Sequence, residues 1–168
     1  MDESINNLNS FTQKLACDND IKALTAIHER LMQYGYKMQT KHIGAAKSGF
    51  DIKYSIKSRK PIVQALYKKN KDAGFEIHMR PLNVTRYADR FFELTEHIRN
   101  CCINGKDCTK CGYCDKAYEY EYEGVRYNKC QFICFNFRFT NIDELDVDSI
   151  IRVLDMELSH IHISGGTK

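Results

Sequence analysis

Proline occurs only twice and glycine nine times in this 168-residue chain, which excludes a collagen-like or low-complexity protein. Its apolar stretches are far shorter than a membrane-spanning helix, so no integral membrane segment is expected. The start, Met1-Asp2-Glu3-Ser4-Ile5-Asn6-Asn7, lacks the basic opening and apolar run of a signal peptide. Internal repeats and linker-like composition breaks are missing too. What remains is a chain of single-domain length, able to bury a core and expected in the cytoplasm.

Charge is nearly balanced, at +3, and too small to imply a nucleic-acid partner by itself. Its distribution is uneven. From Tyr36 to Arg80 there are eleven Lys or Arg and three acids; from Asn141 to His160 there are six acids and one base, Arg152. Solvated strand and helix faces explain such segments most simply. The other reading is a basic face that meets an anionic ligand or partner.

Residues 1–19 are polar and weakly patterned, expected to be flexible or weakly helical. From Asp20, Ile21, Leu24, Ile27, Leu31 and Met32 keep helical spacing, and Gly35 suits the left-handed residue after a helix ending at Tyr34. The period then changes to two. Phe50, Ile52, Tyr54 and Ile56 alternate with Asp51, Lys53, Ser55 and Lys57; Ile62 to Tyr67 is a denser strand; Phe75, Ile77 and Met79 form a third strand, stopped by Pro81. A second helix, with Tyr87, Phe91, Leu94 and Ile98 on one stripe, is predicted to start between Asn83 and Arg86 and to run into the first cysteines.

The clearest hairpin joins Tyr118, Tyr120 and Tyr122 to Val125, Tyr127 and the Phe-rich segment ending at Phe139, with Glu123-Gly124 as the turn. Pairing Tyr122 with Val125 puts Glu121 opposite Arg126. It also gathers the apolar residues on one face, whereas a one-residue slip would mix the faces. A last helix near Asp146 buries Val147, Ile150, Ile151, Leu154 and Leu158, and 164–168 should be a disordered tail. The expectation is a single α+β domain over 20–163, with an antiparallel sheet, helices packed on one face and a cysteine-rich metal-binding loop.

Seven of the eight cysteines lie between Cys101 and Cys134. Cys108-Thr109-Lys110-Cys111-Gly112-Tyr113-Cys114 is the core of this group. A Cys-x-x-Cys-Gly turn brings two thiolates to one ion at about 2.3 Å, the usual zinc–sulfur distance. Cys130 and Cys134 would lie on one face of a regular strand, roughly 13 Å apart. Sulfurs about 4 Å from one another are needed around tetrahedral zinc, so one of the two completes the set unless a bulge intervenes. The first choice is Cys108, Cys111, Cys114 and either Cys130 or Cys134, with Cys102 able to replace one. An iron–sulfur cluster uses similar spacing, but the familiar Cys-Pro is absent. Stable disulfides suit a cytoplasmic setting poorly. Thioredoxin-like chemistry wants the motif between a strand and a helix. Four thiolates leave no open position for water, so such a site supports structure rather than hydrolysis.

Other signals are weaker. Gly44-Ala45-Ala46-Lys47-Ser48-Gly49 lacks the spacing of a phosphate loop. His160 and His162 precede a Gly-Gly tail. His78 lies between Glu76 and Arg80 on the polar side of its strand, and with Lys53, Lys57 and Arg80 it could bind a carboxylate or phosphate. No nucleophile–base–orienter set is evident.

Cys108, Cys111, Cys114, Gly124, Tyr127, Cys130, Cys134, Phe135 and Phe137 carry a resemblance. Around them the chain resembles a group of small uncharacterised bacterial proteins with clustered cysteines and a Tyr-rich, Phe-rich hairpin. The resemblance covers about a quarter of the chain and implies a cysteine-bound metal without an activity. The resulting expectation is a non-enzymatic binding module stabilised by structural zinc. An iron–sulfur or thiol redox protein and a dimerising interaction domain are the alternatives.

Overall fold

The computed structural model describes residues 3–13, 15, 17–43, 49–56, 62–68, 75–109, 117–130 and 137–163. Helix α1 spans Glu3–Thr12 and α2 spans Asp18–Gln33. The segment expected to be flexible or weakly helical holds α1 and contributes Leu8, Phe11 and Leu15 to the core, where Phe11 meets Phe75 edge-on at 6.1 Å. The end of α2 follows the sequence expectation. Gly35 has φ +75, its N–H donates to Met32 O, and the Tyr36 N–H donates to Leu31 O, which closes a left-handed helix cap.

Four strands follow: β1 Lys37–Ile43, β2 Gly49–Ser55, β3 Val63–Lys68 and β4 Phe75–Met79. With β7 (Phe137–Phe139) they form one antiparallel sheet in the order β1-β2-β3-β4-β7. Strand β1 has no counterpart in the sequence reading. It pairs along one side with β2, and among its described side chains only Met38 packs against the core, so its alternation is too weak to read.

The pairings place Ile52, Tyr54, Val63, Ala65, Ile77, Met79, Phe137 and Phe139 on one sheet face, each at most 1% exposed. Leu24, Ile27 and Leu31 of α2 belong to the same core. So do Ile150, Val153, Leu154 and Leu158 of α4 (Glu144–Ile163). His28 of α2 hydrogen-bonds the Tyr54 hydroxyl at 3.1 Å, fastening helix to sheet. The opposite face carries Asp51, Lys53, Gln64, Glu76, His78 and Arg138.

After Pro81 the expected single helix is broken. Val84–Arg86 and Ala88–Glu93 are 3-10 helices, and α3 begins only at Glu96 and ends at Ile103. Tyr87, Phe91, Leu94 and Ile98 are nevertheless all buried, as their spacing predicts. The break falls at Leu94–Thr95, both extended in ψ, because Thr95 serves as N-cap and its Oγ1 accepts from the Ile98 N–H.

Strands β5 (Tyr118–Tyr122) and β6 (Val125–Lys129) take the expected register, with Tyr122 opposite Val125 and Glu121 opposite Arg126, but as a separate two-stranded sheet. Strand β6 ends at Lys129, and Phe137 and Phe139, expected on the same long strand, pair with β4 instead. Glu123 and Gly124 both take positive φ, the mirror-image turn that matches strand twist. The tyrosines of β5 are buried; Val125, at the tip, is 52% exposed. Helix α4 starts two residues before its predicted start. Asp143 and Asp146 cap each other reciprocally, each backbone N–H donating to the other's carboxylate at 2.9 and 3.1 Å.

The molecule is thus an α+β domain with antiparallel sheets. Among the described residues, no helix is long and apolar enough to cross a membrane. The tail 164–168 lies outside the described residues.

Candidate functional site

Cys111, Cys114 and Cys134, and with them much of the cysteine loop, lie outside the described residues. The structure does place Cys108, Cys130 and Cys102. Asp107 and Lys129 form an antiparallel bridge, flanked by bonds from the Cys108 N–H to Asn128 O at 2.9 Å and from the Cys130 N–H to Lys106 O at 2.7 Å. Regular alternation about this bridge would put Cys108 and Cys130 on one face as diagonal neighbours, about 7–8 Å apart. Lys129 Nζ, on the other face, pairs with Asp107 Oδ1 at 2.7 Å and lies over the Tyr127 ring.

Cys102 is fully buried on α3, and its carbonyl accepts from the Tyr120 hydroxyl. Burial drives its thiol well above the ordinary range. That is an apolar core position, poorly suited to a thiolate ligand. Among the described residues, no three His, Cys, Asp or Glu side chains converge as a metal site would require.

The proposed anion-binding residues are partly gathered. Lys53 and His78 flank Gln64 on adjacent strands, on the sheet face away from the core. Each already faces a carboxylate: Lys53 Nζ lies 3.1 Å from Asp51, and His78 Nε2 lies 2.7 Å from Glu76. The alternation that put bases on this face put Asp51 and Glu76 there too, and these acids hold them. Arg80 follows β4; its N–H donates to Ile62 O, and its enclosed Nε has no hydrogen-bond partner among the described residues. Lys57 lies outside the described residues.

At one end of the sheet, the first turn of α2 meets the start of β4 and the segment after β7 around a pocket of about 500 Å³. Its polar lining includes Asp20, Glu76, Arg138 and Thr140, and Phe75 and Ile142 add apolar wall. Arg138 Nε is 3.8 Å from Glu76, a long pair on a half-exposed side chain. Burial, with no cation to offset it, pushes the Asp20 carboxyl up to about 6. The sequence marked Asp20 only as the start of a helix, which in fact begins at Asp18 after Cys17, and gave Arg138 no binding role, because the pocket unites residues more than a hundred positions apart.

Two acids from the segment read as a solvated helix face are in fact buried: Asp146 at 1% and Glu157 at 0% exposed. Asp146 accepts from Thr95 Oγ1 and pairs with His97 Nδ1, both at 2.6 Å, joining the starts of α3 and α4. Ser149 Oγ accepts the Thr95 N–H alongside. Cys101 stands one helical turn beyond His97, so thiol, imidazole and carboxylate do succeed one another here. Burial first, then the Asp146 charge, raises the Cys101 thiol, which favours an inert thiol over a nucleophilic thiolate. The group acts as a structural joint.

The joint has a pH signature. Burial alone would raise Asp146, but the donors Thr95, His97 and Asp143 overcome it and hold the carboxyl below its ordinary 3.8. A lowered folded pKa gives stability that is fully present above the unfolded value and is lost as pH falls through the folded one. Asp146→Asn is therefore expected to cost about 2 kcal/mol near neutral pH and to flatten the acid limb of the stability profile. Urea unfolding at pH 7 and at pH 3 checks this; an equal penalty at both would contradict it.

No protein-family model, curated protein or solved structure matches the chain.

Proposed function

We propose that the chain is a non-enzymatic binding module whose cysteine-rich segment is held by one structural zinc ion. Supporting this reading above all is the bridge between Asp107 and Lys129, beside which Cys108 and Cys130 lie on adjoining segments from different parts of the chain. Two thiols so placed span a distance that one ion can close, and the Cys-x-x-Cys-x-x-Cys spacing supplies the remaining ligands from Cys111 and Cys114. Cys130 is favoured over Cys134 as the fourth ligand because it stands at the bridge itself. Zinc there would supply no open coordination position; it would tie the loop to the hairpin.

Elemental analysis of native protein, purified without oxygen, chelator or a histidine tag, tests the proposal. About one zinc per chain is expected, with substantial loss in Cys108→Ser and in Cys130→Ser and none in Cys17→Ser. Stoichiometric iron with sulfide would instead assign the cysteines to an iron–sulfur centre. Full zinc content in a folded Cys108→Ser/Cys130→Ser double variant would overturn the ligand set.

A further inference from the structure

We infer that the pocket between the first turn of α2, the start of β4 and the end of β7 binds a small zwitterion of the amino-acid type, its ammonium on Asp20 and its carboxylate on Arg138. This names a ligand class for the binding module and stands independently of the metal. The volume, about 500 Å³, suits a small organic molecule. The charges then restrict its chemistry.

Asp20 lines the cavity with no side-chain hydrogen bond or ion pair to another described residue, and it is half-buried. A half-buried carboxylate without a cation is a site that a ligand cation completes. Glu76, the second acid of the lining, is already tied to His78 at 2.7 Å, which leaves Asp20 as the acid in want of charge. Arg138 presents the opposite need. Its contact with Glu76 is long, 3.8 Å through Nε, and its guanidinium fork is suited to a bidentate carboxylate.

A simple anion would meet Arg138 but face the repulsion of Asp20 and Glu76; a simple amine would meet Asp20 but leave Arg138 unserved. A molecule bearing both charges serves both ends of the lining. Phe75 and Ile142 supply apolar wall for its side chain, so a large apolar amino acid is the best match.

Calorimetric titration of the full chain with phenylalanine and with leucine tests the inference. Phenethylamine and 3-phenylpropanoate, each lacking one charge of phenylalanine, serve as matched probes. Saturable binding of at least one amino acid is expected in the millimolar range or below, with the single-charge probes at least tenfold weaker. Asp20→Asn and Arg138→Gln should each lose at least tenfold, whereas Arg126→Gln on the distant hairpin should bind as the parent does. Circular dichroism of each variant separates lost binding from lost folding. No saturable binding of either amino acid, equal binding of a single-charge probe, or full binding by folded Asp20→Asn would overturn the inference. Zinc content of the same samples is read separately, so failure here is distinct from failure of the metal assignment.

Discussion

Glu157→Ala is expected to destabilise the protein by about 3–5 kcal/mol, enough to remove much of a domain's net stability. Glu157 projects from α4 with no exposed surface and accepts four hydrogen bonds: from the Leu82 N–H at 2.9 Å, the Asn83 N–H at 3.1 Å, Asn83 Nδ2 at 2.8 Å and the Tyr87 hydroxyl at 2.8 Å. The first two donors open the 3-10 helix after Pro81, where no preceding turn offers a carbonyl. Alanine leaves all four without their acceptor, and an orphaned donor costs far more than an average hydrogen bond contributes.

Burial raises the Glu157 carboxyl, and the surrounding donors only partly reverse this. A raised folded pKa means that the carboxyl's ionisation opposes stability, an effect that grows as pH rises from the unfolded value through the folded one. Glu157→Gln should therefore cost less, about 1–2 kcal/mol, because it removes the ionisation penalty while turning an amide N–H₂ toward donors. Urea unfolding of the two variants at neutral pH checks the order; an alanine variant within 1 kcal/mol of the parent would show that water replaces the carboxylate at low cost.

Phe91→Ala is expected to cost about 3–5 kcal/mol, against less than about 0.5 kcal/mol for Phe92→Ala beside it. Phe91 is fully buried, whereas Phe92 is 67% exposed. The Phe91 ring meets Tyr87 at 6.2 Å, Tyr120 at 6.0 Å, Tyr122 at 5.7 Å and Phe137 at 6.2 Å, mostly edge to face. It thereby joins the 3-10 segment, the hairpin and strand β7, and its removal leaves a cavity that three separate elements would have to move to close. Phe91→Leu should recover most of the loss. Thermal and urea unfolding should show a lower midpoint with an unchanged denaturant slope. Equal effects at positions 91 and 92 would refute this account of the core.

The hairpin register was legible because each alternative exposes tyrosines and buries glutamates, a difference that spacing alone reveals. The end of α2 was legible through Gly35, since the left-handed conformation is cheap for glycine. The helical stripe of Tyr87, Phe91, Leu94 and Ile98 predicted burial correctly but not the helix itself. Side-chain spacing constrains which face turns inward; the Thr95 cap that breaks the run is secured by Ser149, 54 residues later.

Some missed features did leave traces. Asp143 and Asp146 have the spacing of a capping box, which would have placed the start of α4 correctly. Glu157 interrupts the apolar stripe between Leu154 and Leu158, the mark of a charged residue carried into a core. Nothing comparable marked Asp20 or Arg138 as pocket residues.

By itself, then, the sequence determined the α+β class, the hairpin pairing, the core stripes and the cysteine spacing, all of which arise from local periodicity and from turn and motif chemistry. Only the tertiary structure decided which acids are buried, which bases are already paired, that Asp107 and Lys129 form a bridge beside Cys108 and Cys130, and that Asp20 and Arg138 share a pocket. Those outcomes depend on what each side chain meets across the fold, and the cost of burying a charge is decided there rather than by its neighbours in the chain.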